Sequence, residues 1–159
     1  MAFTAFEEAK IASYKDYRGH RPAPAGFEDF WKKALAELDT LLLDSELVPA
    51  PLQVPYAELY DLYFTSVGGA RIHCQFGRPI SEGQHPAIAM YHGYHCDCGE
   101  WFSKLPYLAQ GYVVIAMDVR GQGGRSEDTT VANGYNIYGQ VIRGVPDGPE
   151  KLFYRSVFL

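Results

Sequence analysis

The sequence predicts an α/β fold in which an antiparallel pair of strands leads into the start of a parallel sheet. Three observations predict it. Residues 56–78 hold two strand-like runs separated by Gly68–Gly69, a hairpin-type turn. Ala87–Tyr91 and Tyr112–Met117 are short, nearly continuous apolar runs, the pattern of strands buried on both faces of a parallel sheet. Glu100–Gln110, between them, reads as a crossover helix and completes one βαβ unit.

Each element has its own signal. Phe6–Tyr14 has the pattern of a short helix, and residues 17–26, broken by Gly19, Pro22, Pro24 and Gly26, read as loop. In Phe27–Leu43 the apolar residues Phe27, Phe30, Trp31, Ala34, Leu35, Leu38, Leu41 and Leu42 recur at spacings of three and four, so they share one helix face. Glu28 and Asp29 suit the positive end of its dipole. Pro49, Pro51 and Pro55 end this helix and make an extended connector. Tyr56–Val67 then carries Leu62 and Phe64 in phase, and Arg71–Arg78 carries Ile72, Cys74 and Phe76 on one face. Pro106 is expected to kink or split the crossover helix, which Gly111 closes. A Gly-rich stretch follows from Val119 to Pro149, and Glu150–Leu159 begins a last helix, inside which the sequence stops.

Composition narrows the function. The 159 residues carry 47% hydrophobic and 21% charged side chains, an ordinary globular balance. A net charge of −5 argues against nucleic acid as a partner, which needs a basic face. The longest unbroken apolar run, Tyr112–Met117, is far too short for a membrane span, and the acidic N-terminus is no signal peptide. Three cysteines do not make a disulfide framework. The expectation is a soluble, cytoplasmic protein.

Two loops leave the C-terminal ends of the presumed parallel strands, where ligands of open α/β sheets bind. They are Tyr91-His92-Gly93-Tyr94-His95 and residues 118–126, Asp118-Val119-Arg120-Gly121-Gln122-Gly123-Gly124-Arg125-Ser126. An apolar strand followed by His-Gly and a bulky residue is the form of the oxyanion loop of α/β-hydrolases, in which a backbone N–H holds a tetrahedral oxyanion. The same residues also suit a plain turn, with Gly93 as its hinge and His92 packed and hydrogen-bonded.

The two loops together, in this element order, resemble the cephalosporin C deacetylase/acetyl xylan esterase family, carbohydrate esterase family 7. The resemblance covers almost the whole chain. It runs from Gly26-Phe27-Glu28-Asp29-Phe30-Trp31 through His85-Pro86-Ala87, His92-Gly93-Tyr94 and Arg120-Gly121-Gln122 to Ser126-Glu127-Asp128-Thr129 and the closing Tyr154-Arg155-Ser156-Val157-Phe158-Leu159. It implies an α/β-hydrolase fold and a metal-free, cofactor-free Ser-His-Asp esterase of the cytoplasm. Such enzymes remove acetyl groups from short xylo-oligosaccharides and from cephalosporin C, and they assemble as hexamers. By the same resemblance Tyr94 lends its backbone N–H to the oxyanion hole and borders the substrate, while His92, Gly93, Arg120, Gly121 and Gln122 support the site.

One departure is concrete. A nucleophile elbow needs Gly-x-Ser-x-Gly. None of the seven serines has it, and Ser126, the nearest, lacks the second Gly and follows the wrong strand. In the family the nucleophile, Asp and His lie beyond the residue that corresponds to Leu159. The resemblance therefore implies the N-terminal portion of one α/β-hydrolase domain, with residues 1–55 as a helical extension and 56–159 as the first strands and oxyanion loop. Such a chain is expected to be inactive alone and stable only beside its missing C-terminal half. Two other functions stay open: a non-catalytic scaffold subunit, and a different α/β-hydrolase of dienelactone-hydrolase or peptidase type. His92, His95, Cys96 and Cys98 offer four soft ligands within seven residues, but their spacing is not that of a common zinc site, and a surface loop with reduced thiols is the simpler reading. Arg120 is open to pairing with Asp118 or Asp128. The aromatic cluster at residues 135–138 reads as packing against neighbouring protein.

Overall fold

The computed structural model describes residues 3–134 and 142–159. The cluster at residues 135–138 lies outside them. The chain divides into two compact units, residues 1–32 and 33–159. In the first, helix α1 (Ala5–Tyr14) starts at a capping box: the Thr4 hydroxyl accepts from the Glu7 N–H and the Glu7 carboxylate accepts from the Thr4 N–H at 2.7 Å. Helix α2 (Phe27–Leu38) spans the boundary between the units. The 3.6-residue spacing extends to residue 43, but the helix stops five residues earlier. The Thr40 hydroxyl caps the Glu37 carbonyl at 2.8 Å, and Asp44 takes a left-handed turn with φ of 43°.

The second unit is built on a five-stranded sheet in the order β1-β2-β3-β5-β4. The proline-rich connector supplies the first strand, β1 (Glu46–Pro49), which pairs antiparallel with β2 (Ala57–Thr65). Pro49 is tolerated because β1 is an edge strand with no second neighbour among the described residues. β2 and β3 (Arg71–Pro79) form the expected hairpin, and both Gly68 and Gly69 in its turn have positive φ. β4 (Ala87–Tyr91) and β5 (Val113–Met117) are parallel neighbours in register, as the apolar runs predict.

Two details depart from the periodicity. β3 is buried on both faces, so His73 and Gln75 are as enclosed as Ile72 and Cys74. β4, by contrast, is buried on neither face: its residues alternate between exposed and half-buried. The crossover is split, as Pro106 requires, into a 3-10 turn over Trp101–Ser103 and helix α3 (Leu105–Ala109), with Pro106 in the first turn of α3. Leu108 packs with Leu59, Trp101 and Val114 in the core, a burial that stabilises by about 1.5–3 kcal/mol. The last helix, α4 (Phe153–Phe158), buries Phe153. No helix among the described residues is long and apolar enough to cross a membrane.

Candidate active site

β4 and β5 lie side by side and parallel, so the loops that leave their C-terminal ends are neighbours. Three hydrogen bonds tie the loops together. The Val119 N–H donates to His92 Nε2 at 2.9 Å, which leaves the ring proton on Nδ1, facing the Gly93 carbonyl at 2.8 Å. The Gln122 side-chain carbonyl accepts the His95 N–H at 2.8 Å. Asp118 Oδ1 accepts the Cys98 N–H at 2.7 Å. The two loops thus meet: Gln122 of Arg-Gly-Gln bonds His95, the residue after His-Gly-Tyr, and His92 bonds Val119, the residue before Arg-Gly-Gln.

Glycine is required at the closest approach. A Cβ on Gly123 would sit 2.7 Å from the Cys96 carbonyl oxygen, and one on Gly124, where φ is +86°, would strike the Asp118 carboxylate. Gly93 is different: its Cβ would meet nothing within 4 Å. The left-handed turn of this loop falls on His95, with φ of 70°. The Tyr94 ring lies tilted against the His95 ring with centroids 4.1 Å apart, and Tyr94 is half exposed. Among the described residues nothing accepts from the Tyr94 N–H.

Beneath the loops lies a buried polar centre that the sequence reading missed. Asp118 Oδ2 accepts from the Arg125 N–H at 2.9 Å and from His73 Nδ1 at 2.6 Å. The second ring nitrogen of His73 faces Asp61 Oδ1 at 3.1 Å and the Arg125 guanidinium, which is ion-paired with Asp61. Burial would raise the Asp118 pKa, but the hydrogen bonds from His73, Arg125 and Cys98 outweigh it and hold the carboxyl well below the usual range. Asp61 is lowered likewise, against burial, by Arg125 and His73. Burial, reinforced by Asp118, pushes the Cys98 and Cys74 thiols up to about 12.

Arg120, Gly121 and Ser126 lie on the loop after β5. Arg120 is buried and donates to the Val67 carbonyl at 3.0 Å rather than to Asp118, whose oxygens are taken by His73, Cys98 and Arg125. Burial lowers the Arg120 pKa against the opposing charge of nearby Asp128, which is itself paired with Arg143. Gly121, with φ of 67°, turns the chain between Arg120 and Gln122. The Ser126 hydroxyl donates to the Asp118 carbonyl at 2.6 Å and accepts the His73 N–H at 2.8 Å, so it is a structural link and no nucleophile. Among the described residues His92, His95 and Cys96 join no metal-binding group; Cys98 clusters instead with His73 and Asp118. The signal for this centre was a His and a Gln at alternate positions of a strand with apolar residues between them, a polar face that pattern alone assigns to solvent.

The family model described as acetyl xylan esterase (AXE1) matches residues 4–159. A solved structure of acetyl xylan esterase 1 from Thermoanaerobacterium sp. is 42% identical, with a TM-score of 0.87 over 93% of this chain and 47% of that one. An acetyl xylan esterase from Paenibacillus sp. R4 is 26% identical, with a TM-score of 0.82 over 94% of this chain and 48% of that one. Among curated proteins, a fluoroacetate dehalogenase from Burkholderia sp. is 33% identical over 70 residues, 44% of this chain and 21% of that protein. A bifunctional epoxide hydrolase 2 from Rattus norvegicus is 33% identical over 96 residues, 58% of this chain and 16% of that protein. The chain therefore spans about half the length of the solved esterases it matches and 16–21% of those curated relatives.

Proposed function

We propose a function from one premise: this chain belongs to the acetyl xylan esterase family. It forms the N-terminal portion of a serine esterase domain, and the Tyr94 N–H is one donor of the oxyanion hole. The observation that carries this is a backbone donor with no acceptor among the described residues, on a loop at the C-terminal end of a parallel strand. A donor held in place and left unpaired is what an oxyanion hole requires, and each such donor contributes about 3–4 kcal/mol to the transition state. His92 and Gln122 fix the loop on either side of Tyr94. The reacting serine, its histidine base and the acid that orients the histidine are supplied by sequence other than these 159 residues. The serine gives its proton to the histidine and attacks the acetyl carbonyl, the oxyanion settles on the Tyr94 N–H and the N–H after the serine, the sugar hydroxyl leaves with the proton from the histidine, and water then releases acetate from the acyl-enzyme.

The substrates of this reading are acetylated xylo-oligosaccharides and cephalosporin C, handled in the cytoplasm by a homo-oligomer, a hexamer in the family's manner. The test is hydrolysis of p-nitrophenyl acetate by the 159-residue chain and by a form continuing through a Gly-x-Ser-x-Gly segment. The longer form alone is expected to turn over and to lose activity to a serine-directed inhibitor. Equal turnover by the short chain, or a preference of the long form for amides or long acyl chains, would refute the reading.

A further inference from the structure

We propose that His73, Cys98 and Asp118 form a site for one divalent cation of the zinc class. One ligand atom from each of the three lies within 4.8 Å of the others. Ligands around a single zinc ion, at bond lengths of about 2.0–2.3 Å, stand roughly 3–4 Å apart, so the Asp118 Oδ2–His73 Nδ1 pair, 2.6 Å apart in a hydrogen bond, opens slightly as the ion takes the place of the proton between them. Imidazole nitrogen, thiolate sulfur and carboxylate oxygen together suit zinc or cobalt better than magnesium or calcium.

Three further observations support the site. His73 and Gln75 are two residues apart on β3 and point to the same face. Gln75 is buried, its Oε1 has no hydrogen-bond partner among the described residues, and it lines the same cleft of about 190 Å³ as His73, Cys98 and Asp118. A buried carbonyl without a donor is costly, and a cation or its bound water satisfies it. The nitrogen of His73 turned away from Asp118 faces the ion-paired Asp61 and Arg125, with Asp61 Oδ1 at 3.1 Å, and Asp61 supplies the carboxylate that orients a metal-bound imidazole. The charges also balance: a divalent cation, one thiolate and one carboxylate sum to zero, while Asp61 keeps its ion pair with Arg125.

Binding is an exchange of protons with no redox step. Cys98 releases its thiol proton to water and forms the metal–sulfur bond. His73 moves its proton from Nδ1, which bonds the metal, to Nε2, where Asp61 accepts it as the Arg125 guanidinium, now donating to that nitrogen, turns wholly onto Asp61. Asp118 Oδ2 exchanges the His73 proton for the cation, and Oδ1 keeps the Cys98 N–H. The bound ion would pin the loop after β4 to β3.

The test is titration of the chelator-stripped protein with Co²⁺, followed by Zn²⁺ competition. One equivalent of Co²⁺ is expected to bind with a thiolate-to-cobalt charge-transfer band in the near ultraviolet, and Zn²⁺ to abolish the band and raise the melting temperature. Cys98→Ser, which keeps the main-chain bond to Asp118, is expected to lose the band and the thermal shift while melting like the metal-free protein. Cys96→Ser is expected to keep both. Asp61→Asn is expected to bind one equivalent about 10–100-fold more weakly. The site is overturned if the unaltered protein takes up no stoichiometric cobalt, if Cys98→Ser binds like it, or if Cys96→Ser loses the band, which would move the metal to the outer loop. Unchanged affinity in Asp61→Asn would remove the supporting carboxylate from the assignment.

Discussion

Gln122 shows how one side chain acts on a backbone it never joins covalently. Its carbonyl holds the His95 N–H at 2.8 Å, and His95 stands in a left-handed conformation that a histidine adopts only at a cost. Gln122→Ala frees that N–H and lets the peptide beside Tyr94 reorient. In the active esterase we expect kcat to fall about 10–100-fold with KM nearly unchanged, because a displaced oxyanion donor affects the transition state more than substrate binding. Stability should drop by only about 0.5–1.5 kcal/mol, the net worth of one hydrogen bond. Steady-state kinetics together with a thermal melt check both. A fall confined to KM would mean that Gln122 contacts substrate. His92 works on the other flank of Tyr94, and its ring is oriented by the Val119 N–H.

The elements place these residues, and their packing has little slack. Gly77 on β3 faces α3: a Cβ there would lie 2.8 Å from one Leu108 methyl and 3.3 Å from a Leu59 methyl. Gly77→Val therefore pushes α3 off the sheet. We expect a loss of about 1–3 kcal/mol by overpacking, measured by urea unfolding; an unchanged midpoint would show that α3 can shift freely. Most of this framework was legible in the sequence. The apolar spacing of α2, the Gly68–Gly69 turn and the continuous apolar runs of β4 and β5 each follow from a local period. β1 was not legible, since four residues ending at Pro49 carry no period and earn their strand state only by pairing with residues 60–63. The loops at the site were readable because their residues are contiguous. The His73–Asp118 centre was not, because its partners stand 45 residues apart and meet only through the pairing of β3 with β5.

At the scale of the molecule, stability carries a pH signature. Asp61, Asp118 and Asp128 are all held below the usual carboxylate range by their partners, against the cost of burial. A carboxyl lowered in the folded state contributes stability that is complete above its unfolded value, near 3.9, and is lost as pH falls through the folded value. For Asp128 the lowering comes, after burial's opposition, from the Thr130 N–H and hydroxyl and then from Arg143. Melting temperature should therefore be level near neutrality and decline below about pH 4. Asp128→Asn should lie below the parent protein at pH 7 and approach it as pH falls. A constant gap between the two curves would mean that Asp128 acts through shape alone. β4 ends the sheet with one edge unpaired among the described residues, and Tyr91 on it is 71% exposed, an edge that invites a further strand. The three bonds between the loops finally govern motion. His95, Cys98 and Val119 give their N–H groups across the gap, and Gly123 leaves no room for one loop to slide on the other. The loops consequently open as one cooperative unit, and these amide protons exchange with solvent at a shared rate rather than fraying one by one.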